Sequence, residues 1–386
     1  MFEFDPFLPQ FQTDPYPYYK KLREEYPAYY LKARDLWLIS RYDDVMAILT
    51  NTKTWSSQAN GNVVNDSPER IGRTLGTTDP PRHDELRRML NSVFTPKSIQ
   101  RLEPLVRENA RELISDFAKD GGCDIMKRYI AKLTAGVIGY LLGIPKEDHD
   151  MLRGWTSARR FGDDGKFLDS RRQAEQQLEQ YTYELVRRKE ANPEDDLTSD
   201  LIRLRDQGEN LDTPEIVMTC RTIISAAFES TNLMFGNVLN ALSKHPDQLE
   251  EVIGNPELIP NAVEEAVRWD PSAQGFQRTT TVDVEIGGTV IPRGSKALVL
   301  YASANRDEKY FPDPDRFDIH RKIGRHLGFG WGPHICIGAP LARLEMKVGL
   351  EELFSAFGKY EIDYAESERS TATPQFRGYL KLYIKY

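Results

Sequence analysis

The stretch HLGFGWGPHICIG, His326 to Gly338, sets one cysteine among four glycines and a proline. A thiolate that ligates a metal needs backbone N–H groups brought near its sulfur, which lowers its basicity and tunes the metal. Gly330, Gly332 and Gly338 allow the backbone turns and close approaches that such a loop requires. The following APLARLE reads as a helix, whose positive N-terminal end would lie close to the sulfur. The chemistry this pattern points to is an iron ligand at Cys336. A generic GxGxxxC also fits the plainer alternative, a glycine-rich turn around a structural cysteine.

A second group of chemistry-bearing residues is Glu229, Ser230, Thr231 and Asn232, inside TIISAAFESTNLMFGNVL. The helix around them is predicted to start with Thr213 as cap and Pro214 in its first turn, and to run to about Lys244. Roughly thirty residues at 1.5 Å each make it about 45 Å long. Its middle has no continuous polar face, which predicts burial. A buried glutamate costs several kcal/mol unless it is paired or neutral. Glu229 is therefore either a satisfied core acid or a functional one.

The elements that must position these groups are mostly helical. DDVMAILTN, SIQRLEPLVRENARELISDFAKD and YIAKLTAGVIGYLLG place apolar residues three and four apart. Strands are predicted in AYYLKARDLWLIS, with a turn at Arg34–Asp35, in VEIGGTVIP, with a hairpin at Gly287–Gly288, and in the final YLKLYIKY. The expected architecture is mainly α with small β-sheets, one domain over 1–386. The net charge of −8 argues against nucleic acid as a partner. The N-terminal MFEFDPFLPQ lacks a basic, apolar leader or anchor, so no membrane association and a cytoplasmic location are expected. Cys123, Cys220 and Cys336 are too few and too widely spaced for a disulfide framework or a zinc site.

FGWGPHICIG resembles the haem-binding loop of the cytochrome P-450 superfamily, with Phe329, Gly332, Cys336 and Gly338 at its fixed positions. The resemblance runs from DPYPYYKKLREE to the last strand, and APLARLE looks like bacterial members. It implies the cytochrome P-450 fold, with haem between a long central helix and the Cys-ligand loop. It implies haem b (iron protoporphyrin IX) with Cys336 as axial ligand. TDPPRHDELRRML looks like the family's third helix, capped by Asp79 and begun by Pro81. His83 and Arg87 then share one face toward the haem propionates, joined by Arg278, His326 and His334. EEAVRWDP carries the family's ExxR, here Glu265 and Arg268, and FPDPDRF supplies Arg316 as the implied third partner of this structural pair.

The activity implied is that of a monooxygenase. It inserts one oxygen atom of O2 into a small organic substrate, by hydroxylation or O-dealkylation. AAFEST aligns Glu229, Ser230 and Thr231 with the acid and alcohol that deliver protons. Two departures stand out. Ala227 replaces the usual glycine and narrows the groove, and Ser230 replaces the usual threonine, losing the methyl that fixes its rotamer. A looser relay is expected, with peroxide release or peroxide use as its consequence. No flavin or iron–sulfur motif is present. NAD(P)H electrons are expected to arrive through a ferredoxin or flavodoxin with its reductase, with Arg88, Arg343 and Lys347 as candidate docking cations.

By family position the substrate pocket draws on residues 56–77 and 159–167, on Ile224 and Phe228 of the long helix, on Gln274 and Phe276 in SAQGF, and on Phe376. Phe228 and Phe276 suggest a compact apolar or aromatic substrate, and Arg70, Arg73, Arg159 and Arg160 could receive a carboxylate. A peroxide-using peroxygenase-like enzyme and a non-catalytic haem or ligand-binding protein are the alternatives. The acid and hydroxyl at 229 and 230 argue against both.

Overall fold

The computed structural model describes residues 2–58, 70–158, 168–371 and 373–386. The chain forms two compact units that interleave along the sequence. The first comprises Met1–Leu86, Glu264–Cys336 and Arg369–Gly378; the second comprises Arg87–Val263, Ile337–Glu368 and Tyr379–Tyr386.

The first unit is built on a five-stranded sheet in the order Ala28–Leu31, Leu36–Ile39, Lys296–Leu300, Gly275–Thr280, Trp55–Ser56. The predicted turn between the first two strands closes through Asp35 at φ 47°, a left-handed conformation that a short polar side chain tolerates. Alternation then fixes two faces. Leu38, Leu298 and Leu300 pack on Phe4, Tyr19 and Leu22. Ile39, Ala297 and Val299 pack on Tyr42, Val45, Leu49 and Leu327, with Trp331 against the same cluster. The chemistry-bearing loop is thus seated on one face of the sheet. The hairpin Val284–Ile286 to Thr289–Ile291 turns at Gly287 and Gly288, both at positive φ, as the primed two-residue turn demands.

An ion-pair cluster within this unit anchors the approach to the loop. Glu265 and Arg268 are both fully buried on the helix Ile259–Trp269, and form two hydrogen bonds of 2.7 Å. Arg268 also donates to the carbonyls of Asn305 and Pro314, at 3.0 and 2.8 Å. The Asn305 side chain in turn accepts from the Leu327 N–H at 2.6 Å. The third side chain of the cluster is Arg321, which donates to Glu265 Oε1 at 3.0 Å. This corrects the expectation for Arg316. The Arg316 side chain is 64% exposed and pairs with Asp318, and only its backbone carbonyl reaches Arg268. The Arg321 side chain is 12% exposed.

The second unit is organised by the helix Thr213–Ser243, 31 residues long. Its cap is Asp212 rather than Thr213. Asp212 accepts from the Glu215 N–H at 2.7 Å and Glu215 accepts from the Asp212 N–H at 3.0 Å, a reciprocal box with Pro214 in the first turn. Ala131–Leu142 and Ala339–Phe357 pack against it. The latter approaches closely at Gly349, where a Cβ would stand 2.8 Å from the Phe235 ring. A three-stranded sheet, Gly122–Asp124, Tyr379–Lys385 and Glu361–Arg369, contains the predicted final strand. Among the described residues, no helix is long and apolar enough to cross a membrane.

Candidate active site

The cysteine loop is shaped by two glycines at φ 69°, Gly330 and Gly332. A Cβ on Gly332 would lie 2.4 Å from the Leu49 carbonyl oxygen, so the loop can touch the neighbouring helix end only with glycine there. The Cys336 N–H donates to the Phe329 carbonyl at 2.9 Å and the Gly330 N–H to Leu327 at 2.8 Å, which folds the loop back on itself. Of the three cysteines only Cys336 is exposed. Burial pushes the Cys123 and Cys220 thiols up to about 11 and about 12, which keeps both neutral. Cys336 is the one thiol presented for chemistry. Gly332→Ala is expected to lower haem occupancy of the purified protein several-fold, through clash and left-handed strain; the haem-to-protein absorbance ratio measures it.

The same unit brings His83 and His334 together, with ring centroids 4.2 Å apart. His83 is 1% exposed. Its Nδ1 pairs with Asp84 at 2.9 Å, while its Nε2 has no hydrogen-bond partner among the described residues. An orphaned buried imidazole nitrogen fits an anionic carboxylate of a cofactor. His334 Nε2 is hydrogen-bonded to Ser57 at 3.2 Å. The Ser57 N–H is fixed by the Asp79 side chain, and the Asp79 carbonyl accepts from the His83 N–H at the start of the helix Arg82–Val93. Arg87 follows His83 by one turn and is half-buried. Arg278 is buried and donates to the Gln277 carbonyl. Burial pushes the Tyr301 hydroxyl up in pKa, and the adjoining Arg278 works against that rise.

His326 does not join these donors. Its Nδ1 accepts from the Gly328 N–H and its Nε2 bonds Glu264 at 2.9 Å, so both nitrogens are used in holding the loop's entry. Gln274 is likewise withdrawn from the substrate set. Its amide donates to the Pro271 carbonyl and its oxygen accepts from Tyr19, which makes it a buried cross-link. Phe276 and Phe376 do come together, edge to face at 6.0 Å, both half-buried. Arg159 and Arg160, with 59–69 and 161–167, lie outside the described residues. Arg73 is exposed and Arg70 half-buried.

On the long helix, Ile223, Ala226, Ala227 and Ser230 form the open face, with Ala226 exposed. Ile224 and Phe228, at 1% and 3% exposure, lie on the opposite side. So does Thr231, also buried. The expectation that Ile224 and Phe228 line a pocket is corrected by one position of helical phase: the apolar residue on the open face is Ile223. Ser230 donates to the Ala226 carbonyl at 2.7 Å, a bond to the preceding turn that loosens a helix locally. Glu229 is half-buried rather than enclosed. Of the expected docking cations, Arg88 makes a two-pronged pair with Glu209, Lys347 pairs with Glu351, and Arg343 is exposed.

Sequence reasoning missed Arg321, for which only its place five residues after Arg316 was available. It also missed Glu345, a buried acid on Ala339–Phe357 that hydrogen-bonds Thr134.

The chain is similar to known proteins along most of its length. Residues 6–143 and 161–374 match the family model Cytochrome P450. The chain is 36% identical to the vitamin D(3) 25-hydroxylase of Pseudonocardia autotrophica, over 94% of this chain and 93% of that one. It is 34% identical to the mycinamicin IV hydroxylase/epoxidase of Micromonospora griseorubida, over 91% and 90%. The solved structure of cytochrome P450 CYP109Q5 from Chondromyces apiculatus superposes with a TM-score of 0.91 at 33% identity, covering 99% of this chain and 97% of that chain. The fold, the loop and these relatives together place the chain in the cytochrome P450 family, as a haem-thiolate monooxygenase.

Proposed function

We propose that Cys336 is the axial thiolate of haem b and that His83, His334, Arg278 and Arg87 hold its propionates. The observation that carries this reading is one exposed thiol in a glycine-shaped loop, in the same unit as a buried imidazole whose Nε2 lacks a partner among the described residues. When bound, the haem supplies reductive activation of O2, with one oxygen atom going to the substrate and the other to water. The chain's own residues manage protons and access. Ser230 spends its hydroxyl proton on the Ala226 carbonyl, so its oxygen is left as an acceptor for a water on the open helix face. Glu229, half-buried and one residue earlier, can exchange protons with solvent and pass them toward that face. Electrons come from NAD(P)H through a separate ferredoxin or flavodoxin with its reductase, and a cytoplasmic location goes with such a partner. Both units serve one catalytic domain in this reading.

The substrate is an apolar small molecule. With Phe228 turned away, the helix contributes the smaller Ile223, Ala226 and Ala227, which favours a substrate larger than a compact aromatic acid. The solved relative CYP109E1 from Bacillus megaterium was crystallised with testosterone and with corticosterone. Optical titration of the ferric protein with fatty acids, aromatic acids, terpenoids and steroids tests the size argument. The low-to-high-spin change is expected with the steroid or terpenoid members. A change confined to compact aromatic acids would contradict it.

A further inference from the structure

We propose that Glu345 is a protonated, hydrogen-donating acid which, through Thr134, holds Asn232 and so fixes the long-helix turn that carries Glu229 and Ser230. The three side chains belong to three helices of the second unit: Ala339–Phe357, Ala131–Leu142 and Thr213–Ser243. All three are buried. Thr134 Oγ1 lies 2.5 Å from Glu345 Oε1 and 2.7 Å from Asn232 Oδ1. A threonine hydroxyl has one proton and can donate only once. An amide oxygen offers none. With the Asn232 amide oxygen facing Thr134, the pair of contacts is satisfied in one sequence: the Glu345 acid donates to Thr134, and Thr134 donates to Asn232 Oδ1. The proton that completes the chain therefore resides on Glu345.

The surroundings support that placement. Among the described residues, no cation acts on Glu345. From the helix Glu103–Ser115, Arg107 reaches Glu351 and Glu352, and Arg111 reaches Glu352. On its own helix, Lys347 pairs with Glu351. From the turn Met126–Ile130, Tyr129 is neutral and spends its hydroxyl on the Gly349 carbonyl. Burial pushes the Glu345 carboxyl up to about 8. Asn232 follows Ser230 by two positions, so the trio grips the long helix directly behind the proton-handling turn.

Glu345 is thus a positioning residue. Its functional meaning rests on the reading of Glu229 and Ser230 given above, but the geometry and its test do not. The linkage has a definite sign. A carboxyl whose folded pKa is raised stabilises the closed arrangement fully at acid pH, and that stabilisation is lost as pH rises toward the raised value. Between the ordinary glutamate range and about 8, local opening should become about tenfold easier per pH unit and then level off.

The experiment is amide hydrogen exchange of the holoenzyme from pH 5.5 to 9, corrected for intrinsic rates and read on peptides spanning 226–233. Wild type is expected to show the rise and the plateau. Glu345→Gln keeps a donor toward Thr134 and should abolish the slope while staying closed; Glu345→Leu should open the peptide at every pH. An infrared spectrum of wild type supplies a second readout, independent of any variant. The carbonyl band of a buried carboxylic acid should be present at pH 7, absent in Glu345→Gln, and lost in wild type above pH 8. A slope retained in Glu345→Gln, or no such acid band, would overturn the proposal. The reverse order, an Asn232 amide donating to Thr134 and Thr134 to an ionised Glu345, gives no acid band. Neither readout depends on the turnover of Glu229 or Ser230 variants, so failure here is distinct from failure of the proton-relay reading.

Discussion

Arg321→Ala is expected to destabilise the protein by about 3–5 kcal/mol, while Arg316→Ala changes stability by less than about 0.5 kcal/mol. Glu265 is fully buried and receives two bonds from Arg268, one from Arg321 and one from the Asp318 N–H at 3.1 Å. Removing Arg321 leaves part of a buried carboxylate charge uncompensated, which is the costly way to break an ion-pair cluster. Arg316 loses only an exposed pair with Asp318, of the kind that contributes little. Arg268→Ala should cost at least as much as Arg321→Ala. Arg268 also ties the Asn305 and Pro314 carbonyls, and Asn305 holds the Leu327 N–H at the entry to the cysteine loop. Loss of haem occupancy should therefore accompany loss of stability. Urea unfolding of the three variants measures the order; equal destabilisation by Arg316→Ala would contradict it.

The second large effect concerns proton handling. Glu229→Gln is expected to lower product formation by about 10²-fold, within the range a positioned acid contributes. Ser230→Ala should lower product formed per O2 consumed by at least about tenfold, with peroxide making up the difference. Thr231→Val should leave turnover close to wild type, because Thr231 is buried on the face opposite Ala226. The sequence offers two adjacent hydroxyls, and only helical phase separates them. Measuring O2 uptake, peroxide and product together on the three variants decides the matter. A Thr231→Val defect matching that of Ser230→Ala would assign the relay hydroxyl wrongly.

The parts of the fold that could be read from sequence are those set by local chemistry. Gly287 and Gly288 dictated a hairpin, and the apolar middle of 213–243 dictated a long buried helix. The cysteine loop was legible because thiol, glycines and helix start lie within a few residues of one another. What was not legible depended on phase or on distant partners. Ile223 and Ile224 are adjacent and chemically identical, and the open face passes between them. Arg316 and Arg321 both follow a proline-rich turn, and the choice is made by the folding of 305–321 around Glu265 rather than by spacing. His326 looked like its neighbour His334 until Glu264, 62 positions away in the chain, was seen to occupy its Nε2. Glu345 lies inside the family-like APLARLE, where nothing local marks it as buried. Only tertiary packing shows that it is enclosed with Thr134 and Asn232.

The central claim is that Cys336 is the thiolate ligand of a haem. The most direct measurement is the carbon monoxide difference spectrum of the reduced protein, for wild type and for Cys336→Ser. The account predicts the red-shifted band of a thiolate-ligated haem in wild type and its loss in Cys336→Ser. A wild-type protein that binds haem without that band, or a Cys336→Ser variant that retains it, would contradict the account.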